Sequence, residues 1–393
     1  MSAGVLDDEE LARAEALHAL GVLDTPPESR YDQVVQLAEN VFDVPMAAVN
    51  LVDTDRQWTK AQVGLNGVEN LPLIHSMCRY TVQQSDMFIV PDTAADERFH
   101  DNRFVRKPPY IRFYAGHPLR APGGEHVGAL CLFDTHPRHL SAAEQRILRQ
   151  MAGWLEKELT FHRELERAGQ VQQLLMPRLP PKLPGYQLAG RCTPTWEIGG
   201  DFYDWHLVGQ ALQLHVADVM GKGIPAALIA ASGRAALRGA AQYNDQQHVI
   251  AHAAAVLEEQ LEDTASFITA FSARIDPSTG DLTYIDAGHG LAVIFDTAGG
   301  HRRLKSSGPP LGVLPGTTWK AHSTTLAPGE TLLVVSDGFL DSFTDLDSAI
   351  IRAANVVHEA VTAEQIIERF TAYAQAHAHT DDVTVVALHR DPA

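Results

Sequence analysis

Apolar positions at three- and four-residue steps open the chain. Leu6 to Leu20 reads as a helix, ended by Gly21 and Thr25-Pro26-Pro27. Glu28 to Val41 reads as a second helix, with Val34, Val35, Leu37, Ala38 and Val41 at helical spacing and Pro45 beyond its end. The pattern then changes to strands. Ala47 to Val52 and Gln57 to Val63 are separated by the turn signal Asp53-Thr54-Asp55, and Phe88 to Val90 forms a short strand before Pro91. Ile111 to Leu119 and His126 to Phe133 form a pair across Pro122-Gly123-Gly124. Ser141, with Glu144 three positions later, is a capping box that starts a long helix.

This order of helices and strands resembles a GAF domain over about Ser29 to Glu158. The resemblance rests on Ala47-Ala48-Val49-Asn50-Leu51-Val52-Asp53, Ser76-Met77-Cys78, Val90-Pro91-Asp92-Thr93 and Gly128-Ala129-Leu130-Cys131-Leu132-Phe133-Asp134. It implies a sensor that takes a small molecule or serves to dimerise.

The long helix carries a heptad-like seam. Trp154, Glu158, Phe161, Leu165, Ala168, Gln172 and Leu175 recur at four- and three-residue steps, imperfect at Glu158 and Gln172. The seam predicts either a parallel homodimer or a single amphipathic helix packed on its own domain. Met176-Pro177-Arg178-Leu179-Pro180-Pro181 stops the helix. The expected organisation is residues 1–158 as sensor domain with an N-terminal helix, 159–181 as helical, coiled-coil-like linker, and 182–393 as a second domain.

That second domain is strand-rich at both ends. Ala211 to Val216 alternates and runs into Asp218. Leu332 to Val335 is a buried strand leading to Asp337. Ser266 to Ile275 and Leu282 to Ile285 form a hairpin, and Val383 to Leu388 is a closing strand. Ile224 to Ala241 and Gln247 to Leu261 read as helices. Antiparallel strands with helices between them predict an α+β sandwich.

Composition narrows the field. A chain of 393 residues suits two domains. A net charge of −18 argues against nucleic acid or an anionic membrane as main partner. The longest apolar runs are too short to span a bilayer, and the acidic start does not read as a secretory signal. Cys78, Cys131 and Cys192 fit neither a disulfide framework nor a zinc spacing, so a reducing cytoplasm is expected.

Four acidic clusters carry the candidate chemistry. They are Asp201 in Gly199-Gly200-Asp201-Phe202-Tyr203-Asp204, Asp218 in Ala217-Asp218-Val219-Met220-Gly221-Lys222-Gly223, Asp337 in Ser336-Asp337-Gly338, and Asp381-Asp382 before Val383-Thr384. Each sits at the edge of a strand-like stretch. Taken alone, each has a bland reading as a turn or a cap. Gathered in one fold they would repel, unless hard divalent cations lay between them.

In this order the clusters resemble the SpoIIE-like branch of the type 2C metal-dependent serine/threonine phosphatases, over roughly Arg167 to His389. Ala287-Gly288-His289-Gly290 and Gly308-Pro309-Pro310-Leu311-Gly312-Val313 stand where that family carries its connecting turns. The resemblance implies an αββα sandwich and two ions, Mn2+ or Mg2+. Asp218 would bridge them, with the Val219 carbonyl as a backbone ligand. Asp201 would serve one ion, and Asp337 and Asp381 the other, Asp381 being preferred to Asp382. A water of lowered pKa would attack phosphorus in line. The chain departs from the wider type 2C pattern at Val219-Met220, where a histidine is usual, and from the branch at Asp286 and Leu291, where asparagine and proline are usual. His289 is expected to be a turn residue, and Asp204 to lie outside the ligand set.

The expected function is a cytoplasmic, GAF-regulated phosphoserine/phosphothreonine protein phosphatase. Its substrate would be a phosphorylated anti-sigma-factor antagonist. The alternatives are a non-catalytic partner-binding scaffold and a phosphatase of small phosphoesters.

Overall fold

The computed structural model describes residues 8–65, 69–377 and 380–392. The chain divides into two compact units, Met1–Glu164 and Leu165–Ala393. Among the described residues no helix is long and apolar enough to cross a membrane.

The first unit is one antiparallel sheet with helices on its faces. Its helices are α1 (Asp8–Ala19), α2 (Ser29–Phe42), the short α3 (Cys78–Thr81) and α4 (Arg103–Arg106), and the start of α5 (Ala142–Leu175). Its strands are β1 (Met46–Val52), β2 (Arg56–Val63), β3 (Asn70–Pro72), β4 (Phe88–Val90), β5 (Phe113–Arg120) and β6 (His126–Asp134), in the order β3-β2-β1-β6-β5-β4. The sequence-predicted elements are all present, with ends shifted by a residue or two. Leu6 lies outside the described residues.

One sheet face packs on α1, α2 and α5 through Leu17, Val34, Phe42, Leu130 and Leu155. The other face packs on α3 and α4 around Cys78, Phe99, Tyr114 and Cys131. Helix α2 buries Tyr31, Val34, Val35, Ala38 and Phe42. Leu37 and Val41, expected on that stripe, are 46% and 45% exposed. Two offset apolar stripes compete here, and the one carrying Tyr31 and Phe42 offers more area to bury. The capping box is formed: Ser141 Oγ accepts from Glu144 N at 3.2 Å, and Glu144 Oε2 accepts from Ser141 N at 2.7 Å.

The second unit is a four-layer αββα sandwich. Its strands are β7 (Tyr186–Thr193), β8 (Phe202–Val208), β9 (Ala211–Val219), β10 (Ile268–Ile275), β11 (Asp281–Ala287), β12 (Ala292–Phe295), β13 (His301–Arg303), β14 (His322–Thr325), β15 (Thr331–Val335) and β16 (Val383–Arg390). One antiparallel sheet runs β14-β11-β10-β9-β8 and the other β13-β12-β15-β16-β7. Leu214, Val216, Phe271, Val334 and Val386 fill the space between them. The helices α6 (Ile224–Tyr243) and α7 (Gln246–Asp263) cover the first sheet through Ile229, Leu237, Ile250 and Ile268. The helices α8 (Leu346–Glu359) and α9 (Ala363–Ala376) cover the second through Phe295, Val356, Ile367 and Val385.

The helical seam is only partly open. Glu158 pairs with Arg30 at 3.0 Å, and Gln172 bonds to the backbone of Gly199. Trp154, Phe161, Ala168 and Leu175 remain exposed at seven-residue steps along α5. The two positions that spoil the heptad therefore have partners within this chain.

Candidate active site

The site is built where strands of both sheets end. Phe202 pairs with Ala217 across β8 and β9, and the same register places Asp201 opposite Asp218. Asp218 is the penultimate residue of β9, opposite Thr269 of β10. Asp337 begins the 3₁₀ turn Asp337–Ser342 immediately after β15 and Ser336. Asp381 and Asp382 lead into β16, the neighbour of β15. Gly338 fits here because it has no side chain, since a Cβ would collide with the Asp382 carbonyl oxygen.

Burial and mutual repulsion shape the acids. Asp201 is 2% exposed, and its Oδ2 is buried without a hydrogen-bond partner. Burial, then the charges of Asp218 and Asp382, push its carboxyl well above the usual range. Asp218 is pushed up to about 7 by burial, with Asp337 and Asp381 the next contributors. Asp337 is raised by burial and by Asp381 and Asp341. A cation among them would remove this cost. Lys222 supplies one positive charge: its ammonium lies 3.1 Å from Asp381 Oδ2 and donates to the Thr380 carbonyl.

Asp382 plays a different part from Asp381. Its Oδ1 accepts from Thr195 N at 2.8 Å and its Oδ2 from Gly200 N at 2.7 Å. It therefore clamps the segment that carries Asp201 by donors of the main chain. Asp341, absent from the sequence expectation, accepts from Thr380 N and Oγ1, both at 2.7 Å, and so ties the Asp337 turn to the Asp381 segment. Its signal in the sequence was its place four residues after Asp337, in the same turn. Lys222 could have been noticed as a cation flanked by glycines in the Asp218 cluster.

Among the described residues, no group of three or more His, Cys, Asp or Glu side chains stands close enough together to hold a metal ion. Strand register places the acids near one another, and their charges repel. Val219 is buried beside them, its carbonyl oxygen close to Gly200.

The other candidates have partners of their own. Asp204 is not at the surface; it is fully buried on the helix side of β8, 2.7 Å from Arg238 and 3.3 Å from Arg234 of α6. Strand alternation turns it away from Asp201. His289 Nδ1 lies 3.3 Å from Thr269 Oγ1, and burial lowers its pKa to about 4, so it is neutral. Asp286 holds the turn by accepting from Gly290 N at 2.9 and 3.0 Å, and burial raises it to about 6.

Comparison with known proteins agrees with this architecture. The GAF domain model matches residues 26–159, and the model of Stage II sporulation protein E (SpoIIE) matches residues 209–391. Asp218, Val219, Asp337 and Asp381 lie inside the second span, and Asp201 lies before it. Protein IcfG of Synechocystis sp. is 29% identical over 58% of this chain and 42% of its own length. The phosphoserine phosphatase RsbU of Bacillus subtilis is 24% identical over 58% of this chain and 70% of its own. The SiaA-PP2C domain of Pseudomonas aeruginosa shares the fold, with a TM-score of 0.50 at 22% identity, over 64% of this chain and 100% of that one. The chain spans between 22% and 70% of the length of the curated relatives it matches. Residues 26–159 are thus a GAF domain, and residues 209–391 belong to the SpoIIE family of type 2C phosphatase domains.

Proposed function

We propose that the chain is a metal-dependent phosphoserine/phosphothreonine protein phosphatase under the control of its GAF domain. The observation that carries this reading is the acid group itself: Asp201, Asp218 and Asp337 all have raised pKa values, and Asp201 Oδ2 is buried and unpartnered. Such oxygens suit Mn2+ or Mg2+, which prefer carboxylates and keep several waters, so an incomplete protein shell is what these ions use. Asp218 would serve both ions and the Val219 carbonyl one of them, with Asp201 for one ion and Asp337 and Asp381 for the other. The ions would supply an electrophile for phosphoryl oxygens and lower the pKa of a water.

The chain's own residues do the positioning. Asp382 fixes the Asp201 segment, and Asp341 fixes Asp381 against Asp337. Lys222 lies against Asp381 and would share that carboxylate with a bound cation. Burial holds His289 at about 4, below the range of a general acid at neutral pH, so leaving-group protonation is assigned to water.

The substrate class is a phosphorylated anti-sigma-factor antagonist, supported by the resemblance of the acidic motifs and the similarity to the phosphoserine phosphatase RsbU. The exposed stripe of α5 supports a parallel homodimer. The test is dephosphorylation of a phosphoserine protein by the full chain. Chelator should silence it and Mn2+ restore it. Asp218→Asn and Asp337→Asn should lower turnover by at least about 100-fold, because the water loses its activation. Near-normal turnover in either variant would overturn the reading. Equal rates on small phosphoesters would favour a broader phosphatase.

A further inference from the structure

The three cysteines are far apart in sequence, yet the GAF fold brings two of them together. Cys78 opens α3, and Cys131 lies in β6 opposite Gly116 of β5. Their sulfurs are 3.1 Å apart, and both are free thiols, 1% and 0% exposed. Disulfide formation, with a bond of about 2.05 Å, needs sulfur movement on the order of 1 Å.

The surroundings are not those of an inert core cysteine. Asn50 Nδ2 donates to Cys78 Sγ at 3.3 Å, and Thr59 Oγ1 donates to Asn50 Oδ1 at 2.8 Å, which fixes the amide's orientation. Tyr114 Oη lies 3.4 Å from Cys131 Sγ and 2.6 Å from Thr81 Oγ1. An apolar pocket would satisfy a structural thiol, whereas donors aimed at sulfur favour the thiolate. Burial raises the Cys78 thiol, but hydrogen bonds from Cys131, Tyr114, Asn50 and Ser76 outweigh it and leave it lowered. Burial leaves Cys131 well above the ordinary thiol value. The two sulfurs also differ in their neighbours, an amide donor on Cys78 and a phenol hydroxyl beside Cys131.

Cys78 also lines a cavity, together with Gln57, Thr59, His75, Met77 and Phe104. A water-sized molecule can reach about 40 Å³ of it, more than the roughly 10–15 Å³ that one water needs. Its lining is mostly apolar, with Leu65, Leu71, Ile111 and Phe133 beside Gln57, Thr59 and His75, and the space takes an oxidant of about the size of water.

We propose that Cys78 and Cys131 form a peroxide-sensitive dithiol, with Cys78 attacking hydrogen peroxide admitted by this cavity and Cys131 closing the disulfide. In the first step Cys78 Sγ bonds to one peroxide oxygen and the O–O bond breaks. The departing hydroxide takes the thiol proton and leaves as water, and Cys78 becomes a sulfenic acid. In the second step Cys131 Sγ attacks the Cys78 sulfur and the S–O bond breaks. The departing hydroxyl takes the Cys131 proton and leaves as a second water. Two thiols are oxidised by two electrons, and one peroxide is reduced to two waters. The dithiol is independent of the phosphatase reading.

The test treats the reduced full chain with hydrogen peroxide, unfolds it and alkylates the remaining thiols. Two of the three cysteines should be lost to alkylation, with a Cys78–Cys131 linked peptide by mass spectrometry and recovery on dithiothreitol. In Cys131→Ser, dimedone should trap a sulfenic acid on Cys78. In Cys78→Ser, Cys131 should stay alkylatable. Wild-type protein whose Cys78 and Cys131 both stay alkylatable after peroxide would overturn the proposal. So would dimedone labelling of Cys131 in place of Cys78, or a link between two chains. Because the wild-type measurement needs no substitution, a misfolded variant does not shield the proposal.

Discussion

Gln172 and the backbone of Gly199 hold each other through two hydrogen bonds. Gln172 Nε2 donates to Gly199 O at 2.6 Å, and its Oε1 accepts from Gly199 N at 3.1 Å. The side-chain amide acts like a strand partner for one residue of the segment that delivers Asp201. One turn earlier, α5 comes so close to this segment that a Cβ at Gly169 would collide with the Glu197 carbonyl oxygen. The end of α5 is thereby latched to the loop of an acid whose position the chemistry needs.

Breaking the latch should therefore act on catalysis more than on folding. Gln172→Ala removes two partly buried hydrogen bonds, a loss of about 1–2 kcal/mol. Gly169→Ala forces the helix away from Glu197. Both should lower turnover by roughly 10- to 100-fold, since a shift on the order of 1 Å at a reacting group costs that much. Both should also raise the Mn2+ concentration needed for half-maximal activity. Phosphatase assays across a Mn2+ series check this; unchanged turnover in both variants would show that the latch only packs the helix.

Asp381 and Asp382 should separate cleanly on substitution. Asp382→Ala leaves the Thr195 and Gly200 amides without their carboxylate, and should destabilise the protein by roughly 2–4 kcal/mol. Asp381→Asn should leave the melting temperature close to wild type and abolish activity. Thermal denaturation paired with activity assays distinguishes the clamp from the ligand, and the reverse pattern would exchange their roles.

The first sheet of the sandwich hides an acid-sensitive pair. His206 and His215 are buried, their ring centroids are 6.0 Å apart, and neither ring has a hydrogen-bond partner. Burial, then Arg238, lowers His206 to about 4, and burial with His206 and Arg274 holds His215 well below its ordinary value. In the unfolded chain both titrate near about 6.5. Between these values the unfolded state binds more protons, so stability is full above about 6.5 and declines as pH falls toward 4. His215→Phe should flatten that decline. Denaturant titrations of wild type and variant from neutral to acidic pH measure it, and an unaltered slope would assign the acid loss to other groups.

The exposed stripe of α5 gives a prediction about assembly. Trp154 and Phe161 are 51% and 54% exposed, with Ala168 and Leu175 continuing the seven-residue spacing. Two parallel copies would bury this stripe against itself. Light scattering should give twice the chain mass for wild type and the chain mass for Trp154→Glu/Phe161→Glu. A monomeric wild type would leave the stripe without this role.

The sequence by itself determined what depends on neighbours along the chain. Periodicity placed α2, β1, β5, β6, α6 and α7, and the capping box at Ser141 and Glu144 formed as read. The acidic clusters were legible because each pairs a carboxylate with a strand end. Helices α8 and α9 were not placed along the chain, although their apolar positions are helical; the second helical layer was expected only from the αββα resemblance. Only the tertiary structure decided which of two apolar stripes α2 buries, since that depends on the area the sheet presents. It also decided that Glu158 and Gln172 serve Arg30 and Gly199, that Asp204 is sealed under α6 by two arginines, and that Asp382 clamps while Asp381 faces the acids. Cys78 and Cys131 show the reason most plainly. They are separated by β4 and β5 in sequence, and their sulfurs meet only because β6 lies beside β5 and α3 folds across that face of the sheet.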